Sequence, residues 1–254
     1  MRSIQGMSVL VTGGGTGIGL GTAERFAESG ALVTITGRRE QLLRESAERI
    51  GSRCRAVPGD VTIAEDRCRM VEGAVDHGGG LDALLNLAAN MYAGPITELE
   101  EDRLLDLFHG NVVAGMMLVQ LAKPYLADRK GCVVFAGSVH TQRAFPGASP
   151  YAATKGAIEV LTGVLAAELG RDGIRVSCIR PGAVHTDLIV RSGMVETKQD
   201  ALERLEGLVP AHALDRIGTA EEIAEAIEYL VRAEWTTGNV LTVDGGLGLG
   251  VTQT

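Results

Sequence analysis

Seven short runs recur along this chain of 254 residues, and most of them are apolar on both sides of the alternation a strand imposes. They are 7–12 (MSVLVT), 31–36 (ALVTIT), 53–57 (RCRAV), 81–86 (LDALLN), 132–137 (CVVFAG), 174–179 (IRVSCI) and 239–243 (NVLTV). A strand that is apolar on both faces must be covered on both faces, which is the condition of a parallel sheet. Helical patterns lie between the runs, among them TAERFAES, REQLLRESAERI and TAEEIAEAIEYLVR. Strand and helix in alternation build right-handed crossovers. The pattern predicts an α/β fold: a doubly wound, Rossmann-like parallel sheet of about seven strands with helices on both faces. A single domain over 1–254 accommodates it. The 34 glycines against 7 prolines suit tight strand-to-helix turns better than linkers. Residues 183–217 stand apart, because they are too long for a plain connection between a strand and a helix.

The net charge of −8 offers no basic field to nucleic acid or to an anionic membrane. There is no unbroken run of eighteen apolar residues, so no membrane span is expected. The opening MRSIQGMSVLVTGGG has too short an apolar run for a signal peptide. Cys54, Cys68, Cys132 and Cys178 are not two or three residues apart, and no histidine completes a zinc pattern. Cys132 and Cys178 fall in strand-like runs and read as buried thiols, which suits a reducing cytoplasm. No metal is expected.

The first strand runs into TGGGTGIG (12–19) and then into a helix. Glycines at such a turn let backbone approach a pyrophosphate, and the helix N-terminus supplies free N–H groups. Glycines also fill ordinary turns, but the strand before and the helix after favour a dinucleotide site. Gly13, Gly17 and Gly19 give G-x3-G-x-G, with Thr16 and Ile18 inside the turn. An NAD site usually carries an acid about 20 residues on, for the ribose hydroxyls. Residues 31–39 hold no Asp or Glu, and Arg38 and Arg39 open the next helix instead. Cations there oppose the helix dipole, a conflict that a 2′-phosphate would remove. NADP is therefore favoured, with NAD the alternative if both arginines are merely solvated beside Glu40.

The stretch SPYAATKGAIEV (149–160) places Tyr151 and Lys155 four apart on an apolar helix, where they share a face. They read either as polar tips at an interface or as an acid–base pair. Further motifs follow in order: GDVT (59–62), Asn86, NVVAG (111–115), Ser138, YAATK (151–155), RPG (180–182) with Thr186, and VDGG (243–246). With the glycine turn, this ordered set resembles the single-domain branch of the short-chain dehydrogenase/reductase family over nearly the whole chain.

The resemblance implies roles. Tyr151 is the general acid or base, and Lys155 contacts the nicotinamide ribose and lowers the tyrosine pKa. Ser138 hydrogen-bonds the reacting oxygen, and Asn111 holds a water in the proton relay. Asp60 and Val61 contact adenine, and Asn86 lies under the cofactor. Pro181, Gly182 and Thr186 border the nicotinamide. Where the family usually continues Asn-Ala-Gly after Asn86, this chain has Leu87, Ala88 and Ala89, which alters the expected ribose and nicotinamide contacts. Elementary chemistry agrees with the set. A free tyrosine titrates near pH 10 and is a poor base, and a neighbouring ammonium favours phenolate. Negative charge developing on a carbonyl oxygen is answered by a serine donor and a tyrosine proton.

His140 and His185 fall near the expected pocket and are candidate substrate contacts, together with Leu188. His77 and His212 are expected at the surface, and His109 is expected to be structural. The expected function is interconversion of an alcohol and a ketone or aldehyde. Alternatives are reduction of a 3-oxoacyl thioester, including one on acyl carrier protein, or a non-catalytic NADP-binding sensor or scaffold. Residues 184–216 are expected to cover the substrate. In that stretch Leu202, Leu205, Leu208 and Val209 form an apolar stripe that works alongside Leu188 and Met194. The stretches 112–122 and 151–169 are apolar nearly all round, which calls for a second subunit in a homodimer or homotetramer.

Overall fold

A computed structural model describes residues 1–186, 188–192 and 195–250, leaving out Asp187, Gly193, Met194 and 251–254, and also the side chains of Ile189, Arg191 and Lys198. The expected contact of Met194 therefore lies outside the described residues. Each predicted run becomes a strand: β1 (Ser8–Thr12), β2 (Leu32–Gly37), β3 (Cys54–Pro58), β4 (Ala83–Asn86), β5 (Cys132–Ala136), β6 (Arg175–Pro181) and β7 (Val240–Val243). They form one sheet in the order β3-β2-β1-β4-β5-β6-β7, and every pairing is parallel. β6 runs two residues past its apolar run because Pro181 still pairs with Val243.

The helices are α1 (Gly17–Glu28), α2 (Glu40–Ile50), α3 (Ala64–Gly78), α4 (Glu101–Phe108), α5 (Ala114–Arg129), α6 (Ser149–Leu169), α7 (Leu188–Arg191), α8 (Lys198–Glu206) and α9 (Ala220–Arg232). Alternation along β1 feeds two cores. Val9 and Val11 join Phe26, Leu43 and Ile227 of α1, α2 and α9. Leu10 joins Met70, Leu118 and Ile158 of α3, α5 and α6 on the other face. Both faces are thus buried, as strands of this kind require.

Chain direction around the sheet reverses between β1 and β4, which opens a crevice at the carboxyl ends of the strands. The glycine turn follows β1, Gly59–Asp60 follows β3, Leu87–Ala89 follows β4 and Ser138 follows β5. Between α4 and α5 the helix continues through one π turn, His109–Val113, which carries Asn111. By length and composition alone the continuous helix Glu101–Arg129 could cross a membrane. Here its Leu118, Val119, Ala122 and Leu126 pack into the core beside the sheet. The segment 184–216 holds α7 and α8, and α8 starts on a reciprocal cap between Thr197 and Asp200.

Candidate active site

The glycine turn forms one wall of a cavity of about 150 Å³. Gly13 and Gly17 have φ of +70° and +55°, a region that side chains rarely tolerate. A β-carbon at Gly19 would collide with the Gly13 carbonyl oxygen, so that the turn closes only with glycine. Thr16 caps α1 without a side-chain bond to the helix, leaving the first N–H groups free of side-chain partners. Instead its Oγ1 accepts from Arg39 Nη2 at 3.1 Å. Thr16, Ile18, Asp60, Val61, Ala88 and Arg38 line the same cavity. Arg38 reaches across it, with Nη1 3.8 Å from Asp60 Oδ2 and Nη2 donating to Asn90 Oδ1 at 3.3 Å. Thr12 Oγ1 accepts from the N–H groups of both Leu87 and Ala88 at 3.0 Å, which turns the chain after β4 back against Gly13. A tight glycine cradle, a helix N-terminus and a cationic rim fit a dinucleotide.

A second cavity, of about 1000 Å³, adjoins the first through Ile18, Leu87, Ala89, Thr186 and Leu188. Ser138, Tyr151 and Lys155 line it together. All three are nearly buried, at 7%, 6% and 3% exposure. Tyr151 and Lys155 share one face of α6, and the ammonium lies 5.4 Å from the phenol ring centroid. Lys155 Nζ donates to the Ala136 carbonyl at 2.7 Å, which fixes the side chain against the end of β5. Burial lowers the Lys155 pKa to about 8, opposed by Cys178 and Glu159. Burial also pushes Tyr151 up to about 12, with its hydrogen bond to Ser138 the opposing influence. Desolvation of the phenolate is thus the dominant influence on Tyr151, and Ser138 is the group that opposes it.

Behind these groups Glu159, one turn beyond Lys155, accepts from Arg180 Nε at 2.8 Å and Nη2 at 2.6 Å. Thr141 Oγ1 lies 2.7 Å from Glu159 Oε1 and 2.9 Å from the Ser138 carbonyl oxygen, sharing one proton between them. This ties the loop carrying Ser138 to α6 and β6.

The remaining candidates divide. Pro181, Gly182, Thr186, Leu188 and His140 line the larger cavity. His185 is exposed and lies outside it, because Val184 turns inward to bridge Gly218 and its neighbour faces out. Asn86 lines neither cavity. Its Oδ1 accepts from Thr12 Oγ1 at 3.3 Å and its Nδ2 faces Gly115 of α5, so that it braces β4 rather than touching the crevice. Asn111 also faces neither cavity. Its amide is spent on Asn90 N at 2.8 Å, Asn90 O at 2.9 Å and Thr154 Oγ1 at 3.1 Å, so it ties the loop after β4 to α6. His212 is buried rather than superficial, with Nδ1 2.8 Å from the Leu208 carbonyl oxygen. Leu205 of α8 and Leu208 just beyond it line the cavity, while Leu202 of α8 turns outward.

Sequence reasoning missed Met91, Phe145 and Arg204, which line the larger cavity, and Asn90 beside Arg38. Gly94 within Met91–Pro95 and Gly147 after Phe145 were the available sign of loops meeting at a site. Among the described residues no three His, Cys, Asp or Glu side chains gather as metal ligands.

A nucleotide cradle continuous with a Ser-Tyr-Lys cavity defines a Rossmann-type oxidoreductase. A family profile described as enoyl-(acyl carrier protein) reductase matches residues 13–248. Glucose 1-dehydrogenase of Gluconobacter oxydans is 35% identical over 256 residues, covering 96% of this chain and 92% of that protein. A short-chain dehydrogenase/reductase of unknown function from Caenorhabditis elegans, solved with cofactor, superposes with a TM-score of 0.91 at 28% identity, covering 98% of both chains. The 3-ketoacyl-(acyl-carrier-protein) reductase of Brucella melitensis, solved with NADH, gives 0.87 at 28% identity, covering 97% of this chain and 100% of that one. The chain belongs to the short-chain dehydrogenase/reductase family and is an NAD(P)-dependent oxidoreductase.

Proposed function

We propose that the chain interconverts an apolar carbonyl compound and its alcohol, using NADP in preference to NAD, with Tyr151 as general acid in reduction and general base in oxidation. The observation that carries this is the pair of adjoining cavities: Ser138, Tyr151 and Lys155 line the larger one, which shares a wall with the glycine cradle. A bound nicotinamide cofactor supplies the hydride and, when oxidised, a positive ring. Ser138 donates to the reacting oxygen and holds it beside the phenol. Tyr151 gives that oxygen a proton in one direction and takes it back in the other. Lys155, anchored on Ala136, holds its charge beside the phenol and would contact the ribose of a bound cofactor.

NADP is favoured by Arg38, on the cavity rim, and Arg39, at the start of α2, which together offer guanidinium groups to a 2′-phosphate. The cavity wall of Met91, Phe145, Leu188, Leu205 and Leu208 supports an apolar substrate. Residues 184–216 act as its cover, with α7 and α8 excluding water from the transfer. The size of the cavity and the Brucella neighbour also favour the 3-oxoacyl thioester version of this reading. Its free thiols suit a reducing cytoplasm. Assembly through α5 and α6 is supported by Val113, Met116, Val160 and Val164, which stand exposed in the single chain.

The test is a spectrophotometric screen of NADPH and NADH against ketones, aldehydes and 3-oxoacyl thioesters. Turnover with NADPH on apolar carbonyls supports the reading. Tight NADPH binding with no turnover on any of them would leave the sensor.

A further inference from the structure

His140 stands two residues beyond Ser138 on a short 3₁₀ turn, and it touches the serine twice. Its backbone N–H donates to Ser138 Oγ at 3.3 Å, and its ring Nδ1 lies 3.0 Å from the same oxygen. The ring is clamped between Phe145, at 4.5 Å between centroids, and the edge of Tyr151, at 5.3 Å. A serine hydroxyl has one proton to give and two lone pairs to fill. The backbone N–H of His140 fills one lone pair. The tautomer of the ring decides what is left. If Nδ1 carries the proton, it fills the second lone pair, and Ser138 can then only donate into the cavity. If Nδ1 is bare, the serine proton can turn back onto it and away from any substrate.

The geometry suits the first arrangement: the backbone N–H and ring Nδ1 of His140 both sit on Ser138 Oγ, and Phe145 and Tyr151 hold the ring in that place, so two donors on one side leave the hydroxyl proton for the cavity. Burial, with the Lys155 and Arg204 cations beside it, pushes the His140 pKa down to about 4, so the ring is neutral and carries a single proton.

We infer that His140 is a positioning residue that donates from Nδ1 to Ser138 Oγ and thereby commits the Ser138 hydroxyl to the reacting oxygen. The inference rests on the reading above, in which Ser138 and Tyr151 face that oxygen. It predicts a one-way chain of hydrogen bonds, from His140 to Ser138 and from Ser138 into the cavity.

Long-range proton–nitrogen NMR of histidine-labelled protein reads the tautomer directly, with His140→Asn assigning the signal by its loss. A protonated Nδ1 is expected, and a protonated Nε2 with bare Nδ1 overturns the inference whether or not any substrate is known. Kinetics supply the second arm, on the carbonyl the screen finds. His140→Leu should lower kcat roughly 10- to 100-fold, the worth of one bond to a charged group, while cofactor affinity holds. His140→Asn can donate from Nδ2 at the place of Nδ1 and should recover most of that loss. In a Ser138→Ala background His140→Leu should cost nothing further, because His140 acts only through the serine. Equal losses for Leu and Asn, or losses that add to Ser138→Ala, would mean that the ring merely packs. If Ser138→Ala and Tyr151→Phe keep full turnover while the tautomer is as expected, the catalytic reading fails and the His140–Ser138 bond stands.

Discussion

Replacing Lys155 with Met should strengthen the fold while abolishing turnover. The ammonium is 3% exposed and has one hydrogen bond, to the Ala136 carbonyl. Its pKa falls from 10.5 to about 8 on burial, with Cys178 and Glu159 only partly opposing. At about 1.4 kcal/mol for each tenfold change in proton affinity, holding this group ionised in the folded state costs about 3 kcal/mol at pH 7. The sign follows from proton counts. Between about pH 8 and 10.5 the unfolded chain binds more protons at this lysine than the folded one, so stability rises with pH across that window. Below it the cost is constant. Met fills a similar volume without the charge but leaves the Ala136 carbonyl without its donor, a loss of about 1–3 kcal/mol. The balance is a gain of up to about 2 kcal/mol, or a few degrees in Tm for a chain of this size. Thermal unfolding of both proteins without cofactor, at pH 7 and at pH 10, measures it. The variant should lead at pH 7, and the gap should narrow at pH 10. A variant more than about 1 kcal/mol weaker at pH 7, with the same pH dependence as the parent, refutes the reasoning.

Tyr151→Phe should lose about a hundred- to ten-thousand-fold in kcat while binding NADPH normally by fluorescence titration; near-normal turnover removes the phenol from the mechanism. Arg38→Ala should weaken NADPH by about 10- to 100-fold and leave NADH within about twofold, since only NADPH carries the 2′-phosphate. Placing Asp at both Val160 and Val164 should convert an oligomer to a monomer in light scattering; a parent that is already monomeric at micromolar concentration ends that reading. In hydrogen exchange, residues 184–216 should exchange quickly in the free protein and gain protection when NADPH and a substrate analogue bind. Equal protection in both states would make the segment scaffold.

The strands were legible because a run that is apolar on both faces has one stable home, and β1 with Val9 and Leu10 in opposite cores shows the rule at work. The glycine turn was legible for a related reason, since Gly13, Gly17 and Gly19 answer to backbone geometry rather than to distant partners. Side-chain direction was not. Asn111 and Asn86 stand at the expected positions, yet the Asn111 amide is spent on Asn90 and Thr154 and the Asn86 carbonyl oxygen accepts from Thr12, partners that converge only through the tertiary fold. His185 and His140 looked alike in sequence. Inward placement of Val184 sends the first to solvent, and the 3₁₀ turn after β5 folds the second onto Ser138. Arg204 escaped notice because nothing in an amphipathic helix marks which polar residue will overlook a cavity.

The Glu159–Arg180 pair divides the pocket into two halves with different freedom to change. Removing one partner of this half-buried, two-bond pair would leave the other charge uncompensated, so the half that carries Ser138, Tyr151 and Lys155 is held in one arrangement. The opposite wall, from Leu188 to Leu208, has no such tie to the reacting groups among the described residues. Mutations there can reshape what enters without moving the groups that react. A lineage built on this plan can trade one substrate for another by small steps in α7 and α8 and stay catalytically competent at each step.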